Sequence, residues 1–265
     1  MTSDNRYKGS VKRVTIKEIY AGSTQKTYRL YDRSGNLIEY TSEDGKYVLE
    51  YNSKNQCIRE IWYMGSSIAC IWENDFDSHG NVVVCTSVVD GELISKNEFR
   101  YNCKGEKIQQ IIYDYNVQTF DENNNLIQGS KEIRNFEYDS HGNQIRQFGT
   151  RGEYRTIIHY DDNGLIECEE EYDEGGLEST TSYYYDDKGR LESEIKHQCG
   201  GIFSTEYSYD FQDNCILEIH RNRDNSGYYV RRIYDFYGNC IGERTYHIGD
   251  KEHYREILRQ IEYYE

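Results

Sequence analysis

An eight-residue motif, Tyr-Asp-Ser-His-Gly-Asn-Gln-Ile at residues 138–145, recurs ten times along this chain. Its copies are separated by 18 to 25 residues. They begin at the aromatic residues Tyr31, Tyr51, Phe76, Tyr101, Phe120, Tyr138, Tyr160, Tyr185, Tyr209 and Tyr234. A period in this range is typical of repeat architectures, in which each unit packs on its neighbours. The fold must therefore be built from about ten similar short units.

Each copy predicts a turn between two strands. An Asp or Asn after the aromatic residue accepts hydrogen bonds from the backbone that follows. Gly, or Asn at position 55, then supplies the positive φ that closes the turn. We therefore expect an all-β fold, an antiparallel meander of about twenty strands with the repeat aromatics in a ladder on one face. Twisted sheets rarely exceed about ten strands without curling, so the sequence predicts an open spiral or C-shaped sheet.

The copy at residues 185–191, Tyr-Asp-Asp-Lys-Gly-Arg-Leu, resembles the YD repeats of the RHS family at every position of that motif. The resemblance extends from residue 31 to about residue 245. It implies a spiralling sheet of hairpins, since long arrays of this family wind into a shell around a toxin. The chain contains no proline, so the family's proline-containing self-cleavage motif is not implied. A looser resemblance is to MORN-type repeat antitoxins, which also carry Tyr and Gly at a similar period.

The repeats run nearly from end to end and indicate one domain. We expect a frayed N-terminus at residues 1–10, the repeat array at 11–249 and a capping helix at 250–265. The helix is predicted because Tyr254, Ile257, Leu258 and Ile261 recur at helical spacing. Asp250 is a suitable N-cap, and the last unit of such an array needs a cap. The alternative is one more hairpin that ends at residues 261–264.

Compartment and cofactor content follow from the cysteines and the chain start. The first ten residues are polar, without the apolar stretch of a secretory signal. The eight cysteines form no Cys-x-x-Cys pair, and the seven histidines show no metal-ligand spacing. Cys57, Cys215 and Cys240 share one repeat position, so neighbouring ones would lie about 10 Å apart, too far for a disulfide. We expect free thiols, a cytoplasmic protein, and no metal or cofactor.

Negative charge is concentrated between Arg155 and Lys188. This window holds eleven of the chain's acidic residues and no Lys or Arg, within a protein of net charge −16. Three interpretations remain open: a solvated face, a docking face for a basic partner, and a calcium site. For docking, the expected partner-binding residues are Glu169, Glu170, Glu171, Asp173 and Glu174.

No catalytic motif is present, and the acidic charge disfavours nucleic-acid binding. We therefore expect a non-enzymatic protein-binding repeat protein. By its resemblance to toxin-associated families, it could serve as an immunity protein that docks a basic toxin through its acidic face. The alternative is an RHS-type structural shell piece that encloses or scaffolds a cargo protein. The sequence does not indicate an oligomeric state, and no membrane-spanning stretch is present.

Overall fold

The structure, a computed structural model, describes residues 7–20, 22–120, 126–149 and 154–264. The twenty strands found within these residues belong to one antiparallel sheet. The strands are β1 (Val11–Tyr20), β2 (Ser23–Tyr31), β3 (Leu37–Ser42), β4 (Gly45–Tyr51), β5 (Cys57–Met64), β6 (Ser67–Phe76), β7 (Val82–Val89), β8 (Glu92–Tyr101), β9 (Lys107–Phe120), β10 (Leu126–Tyr138), β11 (Gln144–Gly149), β12 (Arg155–Tyr160), β13 (Ile166–Asp173), β14 (Gly176–Tyr185), β15 (Leu191–Gln198), β16 (Gly201–Tyr209), β17 (Cys215–Arg221), β18 (Gly227–Tyr234), β19 (Cys240–His247) and β20 (Arg255–Tyr263). The predicted all-β fold is confirmed. The described residues include no helix that could cross a membrane.

The repeat motif forms the predicted turn by local hydrogen bonds. In the copy at residues 138–145, Asp139 Oδ1 accepts from the backbone N–H of His141 at 2.8 Å and of Asn143 at 2.9 Å. Gly142 follows with a φ of 90°, a value that favours glycine. Asn55 takes the same role with a φ of 59°. The repeat turns are thus specified by residues within the turn itself. The copy that begins at Phe120 has its turn outside the described residues.

Five repeat tyrosines tie their unit to the strand before it. Their hydroxyl groups donate to the backbone carbonyl of the first residue in the neighbouring strand. The pairs are Tyr101 to Val82 at 2.8 Å, Tyr138 to Lys107 at 2.9 Å, Tyr160 to Gln144 at 3.0 Å, Tyr209 to Leu191 at 2.7 Å and Tyr234 to Cys215 at 2.7 Å. Register places Phe76 and Tyr101 on the same face, and likewise Tyr209 and Tyr234. We call this side of the sheet the aromatic face.

The chain divides into two compact units. Unit 1 comprises residues 1–48 and 181–265, and unit 2 comprises residues 49–180. In unit 1, Val11, Val14 and Tyr31 form a small buried cluster. Part of the predicted frayed start belongs to this cluster, since Tyr7 packs edge-on against Tyr31 at 5.9 Å. Residues 1–6 lie outside the described residues. In unit 2, the buried apolar side chains are those of Ile61, Cys70, Ile111 and Phe136.

The predicted open spiral or C-shaped sheet is wrong, because the first strand pairs with the last. β1 is hydrogen-bonded to β2 on one side and to β20 on the other. At the centre of this arrangement Val14 lies opposite Arg29 on β2 and opposite Ile261 on β20. An open sheet would leave the first and last strands with unpaired backbone groups, which favour aggregation. Pairing the two strands with each other satisfies those groups.

The predicted capping helix at 250–265 is also wrong, and the alternative hairpin is found. Residues 255–263 form β20, which pairs with both β19 and β1. The apolar spacing that suggested a helix also fits a strand, since Ile257 and Ile261 lie on one face with Arg259 between them. Two flanking strands supply backbone partners along this segment, which decides the conformation in favour of the strand.

The backbone conformation at Gly227 can be tested by substitution. Its φ is 150°, and a Cβ built there would lie 2.0 Å from the carbonyl oxygen of His220. Gly227→Ala should therefore lower the free energy of unfolding by more than about 1 kcal/mol, as expected where alanine does not fit the native backbone. Chemical denaturation would measure the loss. Gly242→Ala is the matched control, because its Cβ would meet its nearest neighbour at 3.8 Å. Equal stability of the two variants would contradict the geometry at Gly227.

Candidate functional site

The five acidic residues expected to bind a partner are placed by β13 and the turn that follows it. β13 pairs with β12, so that Ile158 lies opposite Glu169 and Ile157 lies opposite Glu170. Side chains alternate along a strand. Glu169 and Glu171 therefore lie on the aromatic face, and Glu170 lies on the opposite face. Consecutive glutamates on this strand do not form one surface.

Glu170 and Glu171 make hydrogen bonds within the fold. Glu171 accepts a hydrogen bond from the hydroxyl of Ser179 at 2.6 Å, and Ser179 is buried. Glu170 accepts from the hydroxyl of Tyr172 at 2.8 Å and lies 3.8 Å from His159 Nε2. Glu169 is half-buried. These residues are poorly placed to meet a partner directly.

The remaining two acids lie in an exposed turn between β13 and β14. We call residues 173–178 the acidic turn. Asp173 accepts a hydrogen bond from the backbone of Gly175 at 2.8 Å, which orients the turn. Asp173, Glu174 and Glu178 are exposed, and Leu177 between them is 56% exposed. The acidic turn thus contains one exposed apolar side chain and three exposed carboxylates.

The carboxylates of the acidic turn have no basic partner among the described residues. The nearest bases in sequence are engaged elsewhere. Arg155 lies over the ring of Tyr172 at 4.1 Å, and Lys188 pairs with Asp213 at 3.0 Å. The negative field of the acidic turn is therefore not neutralised by neighbouring Lys or Arg side chains.

The calcium interpretation finds no support in the part of the chain that the structure describes. No group of three or more His, Cys, Asp or Glu side chains there could hold a metal ion. The eight cysteines, all within the described ranges, are free thiols.

Sequence reasoning missed Leu177 and Glu178 as members of the site. A signal for them was present, since an apolar residue directly after Gly175-Gly176 falls next to the tip of a hairpin. The same position after other hairpin tips holds Ile68, Leu93 and Ile202, which are also exposed, so Leu177 follows the repeat and is distinguished by the acids beside it.

Sequence reasoning also missed an ion-pair network on the aromatic face of unit 1. It crosses four strands and alternates in charge: Glu218 on β17, Arg232 on β18, Glu243 on β19 and Arg259 on β20. Arg232 donates to Glu218 at 2.5 Å and lies 3.2 Å from Glu243, which also pairs with Arg259. These side chains are only 12–20% exposed. Glu218 and Glu243 share a repeat position, nine residues after Tyr209 and Tyr234, and this was the available signal.

The network also contacts two cysteines. Arg232 donates to Cys215 Sγ at 3.5 Å, and Arg259 donates to Cys240 Sγ at 3.4 Å. Burial raises the pKa of both thiols in spite of the nearby guanidinium groups. A thiol that stays protonated is a poor nucleophile. These cysteines are therefore not arranged as activated nucleophiles.

Glu243 remains ionised at the centre of the network. Burial raises the pKa of its carboxyl group, but hydrogen bonds and charge from Arg259 and Arg232 outweigh burial and hold the pKa below its ordinary value. Every charge of the network is matched by an opposite charge. The arrangement therefore suits structural stabilisation.

Comparison with known proteins gives only weak structural similarities. No family model matches the sequence, and no match was found among curated proteins. Similar solved structures include the Tc holotoxin pore of Photorhabdus luminescens (TM-score 0.31, 11% identity, 93% of this chain and 18% of that chain). They also include TcdB2-TccC3 without the hypervariable C-terminal region (TM-score 0.30, 12% identity, 92% of this chain and 19% of that chain). A porin-like protein from Bacteroides uniformis has a TM-score of 0.42 and 10% sequence identity, over 97% of this chain and 99% of that chain. The chain spans less than a fifth of the two toxin chains, and none of these similarities is close enough to indicate a function.

Proposed function

We propose that this protein is a non-enzymatic binding protein and that its acidic turn docks a basic protein. One observation carries the proposal: three exposed carboxylates without basic partners and the exposed Leu177 lie in the same short turn segment. Of the five acids predicted from the sequence, the proposal keeps Asp173 and Glu174 as contact residues. Glu169, Glu170 and Glu171 contribute charge to the local field.

The two features of the turn would act at different stages of binding. Unpaired carboxylates attract a basic surface over several ångströms and raise the rate of encounter, an effect that salt screens. An exposed apolar side chain loses contact with water once the partner covers it, which slows dissociation. A turn that combines both is suited to a partner with an apolar depression rimmed by Lys or Arg.

A binding role is also favoured by the state of the titratable groups described above. Glu218 and Glu243 are engaged in ion pairs, and burial keeps the thiols of Cys215 and Cys240 protonated by raising their pKa. Neutralisation of a basic toxin is one biological form that this binding could take. It is suggested only by the resemblance of the repeats to toxin-associated families.

The test is a charge reversal at two exposed acids of the acidic turn, Glu174→Lys and Glu178→Lys. Immobilised wild-type and variant proteins would be used to capture partners from the native lysate, and association kinetics would then be measured with the identified partner. We expect the variant to associate about tenfold more slowly at low salt, because the attractive field is removed. At high salt the two rates should approach each other.

The control changes the same amount of charge elsewhere. Glu43→Lys and Glu92→Lys also reverse two exposed acids, each in or beside a different turn. The control should bind at nearly the wild-type rate. Equal slowing of both variants would mean that only the net charge matters, and unchanged kinetics in the test variant would exclude docking at the acidic turn.

A further inference from the structure

Unit 1 carries an exposed apolar groove on the face opposite the aromatic face. Register aligns Ile233 on β18, Gly242 on β19 and Leu258 on β20 in one row across the strands. Ile216 borders the same depression, whose volume is about 460 Å³. Ile233 is 54% exposed and Leu258 is 40% exposed, although both are aliphatic. A continuous apolar depression of this kind marks an interaction surface more often than isolated apolar residues do.

Gly242 creates the depression. It has no side chain between Ile233 and Leu258, and a Cβ built there would meet only ordinary contacts, with Ile233 at 3.8 Å and a backbone oxygen of Ile257 at 4.0 Å. There is therefore room for a side chain that the sequence does not supply. Glycine weakens the interior of a strand and often marks a place where a ligand approaches closely.

The groove has a basic edge in a strongly acidic protein. Arg231 lines the groove and is held over the rings of Tyr229 at 5.4 Å and Tyr246 at 6.0 Å. Among the described residues no carboxylate pairs with Arg231. Arg244 beside it pairs with Glu256 at 2.6 Å, and Lys17 lies opposite Leu258 on β1. The groove thus offers a positioned cation next to an apolar notch.

We propose that this groove binds an extended acidic peptide segment that carries an aliphatic side chain. The aliphatic side chain would enter the notch over Gly242, and a neighbouring carboxylate would pair with Arg231. This site lies in the other unit from the acidic turn and selects the opposite charge, so it is independent of the docking proposed above. A guanidinium fixed over aromatic rings is already oriented, which favours pairing with a carboxylate.

The shape of the groove favours a peptide over an anionic membrane. An acidic lipid surface would also satisfy the charge, but it contacts broad apolar faces. Here the apolar row is one residue wide, and the next row holds Arg231, Arg244 and Glu256. A single side chain of an extended peptide fits this geometry, since specificity pockets for alternate side chains have this size.

The experiment selects peptides from a displayed random library on the wild-type protein and on Gly242→Val. The valine fills the notch without displacing a neighbour, so the variant should fold, and thermal unfolding would verify this. We expect the wild type to enrich sequences with an aliphatic residue beside Asp or Glu. A synthetic peptide of the enriched sequence should bind Gly242→Val roughly tenfold or more weakly, the scale of a filled apolar pocket.

Further variants and a binding measurement with lipid vesicles test whether the peptide binds in the groove. Ile233→Ser and Arg231→Gln should each weaken peptide binding. Ile202→Ser, at an aliphatic residue 49% exposed outside the groove, should not. Enrichment of basic peptides, or of peptides that bind Gly242→Val equally well, would overturn the proposal. So would groove-dependent binding to phosphatidylcholine–phosphatidylglycerol vesicles in the absence of any enriched peptide.

Discussion

Replacing Glu243 with alanine is expected to lower the free energy of unfolding of unit 1 by about 3–5 kcal/mol, the range found when one partner of a buried ion pair is removed. Glu243 joins Arg232 to Arg259 on the aromatic face. Without it, Arg259 loses its carboxylate partner while only 12% exposed. Arg232 retains Glu218, so the larger part of the cost falls on Arg259.

The loss would be measured by hydrogen exchange at the amides of β18, β19 and β20. This readout is needed because both tryptophans, Trp62 and Trp72, lie in unit 2 and do not report on unit 1. Glu206→Ala is the matched control. Its pair with Arg221 also joins adjacent strands at 2.6 Å, but Glu206 is 52% exposed, and such pairs contribute about 0–1 kcal/mol. A similar small loss at Glu243 would contradict the structural role of the network.

The ion-pair network also predicts that the free energy of unfolding depends on pH. The pKa of Glu243 is lowered in the folded protein, so its contribution is present above the unfolded pKa of about 4.3 and is lost as the pH falls through the lower folded pKa. The difference in stability between wild type and Glu243→Gln should therefore shrink on acidification. A difference that stays constant down to pH 2 would show that folding does not lower the pKa of the Glu243 carboxyl group, which would contradict the stabilising role of its ion pairs.

Asn239→Ala should have the second largest effect, a loss of about 2–4 kcal/mol from several unsatisfied polar groups. Asn239 is only 4% exposed and binds the N-terminal segment through both ends of its amide. Its Oδ1 accepts from the backbone N–H of Lys8 at 2.5 Å, and its Nδ2 donates to the carbonyl of Lys8 at 2.9 Å and to the Tyr263 hydroxyl at 3.0 Å. The side chain therefore joins the segment before β1 to the end of β20.

The same position in another repeat supplies the control. The Nδ2 of Asn143 donates to Asp139 within its own turn at 3.0 Å. Asn143→Ala should lose about 1 kcal/mol, the contribution of one ordinary hydrogen bond. Thermal unfolding would compare the two variants. If they lose the same stability, Asn239 acts only within its turn and does not hold the N-terminal segment.

The fold could be predicted from the sequence where its determinants are local. Asp139 and Gly142 specify their turn through contacts within four residues, and the same contacts recur in the other described repeat turns. The pairing of β1 with β20 joins residues about 250 positions apart, and no local pattern encodes it. The helix prediction failed for the same reason, since Ile257 and Ile261 fit either structure until β1 is known to lie beside them.

The candidate site was predictable only in part. The concentration of acids was visible, but Glu169, Glu170 and Glu171 are consecutive on a strand and had to alternate between its faces. That division between faces could be predicted from the two-residue period of a strand. The hydrogen bond from Ser179 to Glu171 could not be predicted, because its geometry depends on how β14 lies beside β13. The ion-pair network required the register of four strands.

The central claim, that the acidic turn is a docking site, is tested most directly by a double-mutant cycle with the captured partner. Glu174→Ala and Glu178→Ala would each be combined with alanine replacements of the partner's Lys and Arg residues. We expect at least one pair to show a coupling energy of about 0.5–3 kcal/mol, the range for residues in contact. Glu43→Ala should give coupling within about 0.5 kcal/mol of zero against the same replacements. If no pair involving Glu174 or Glu178 exceeds that control, the acidic turn does not contact the partner and the claim is wrong.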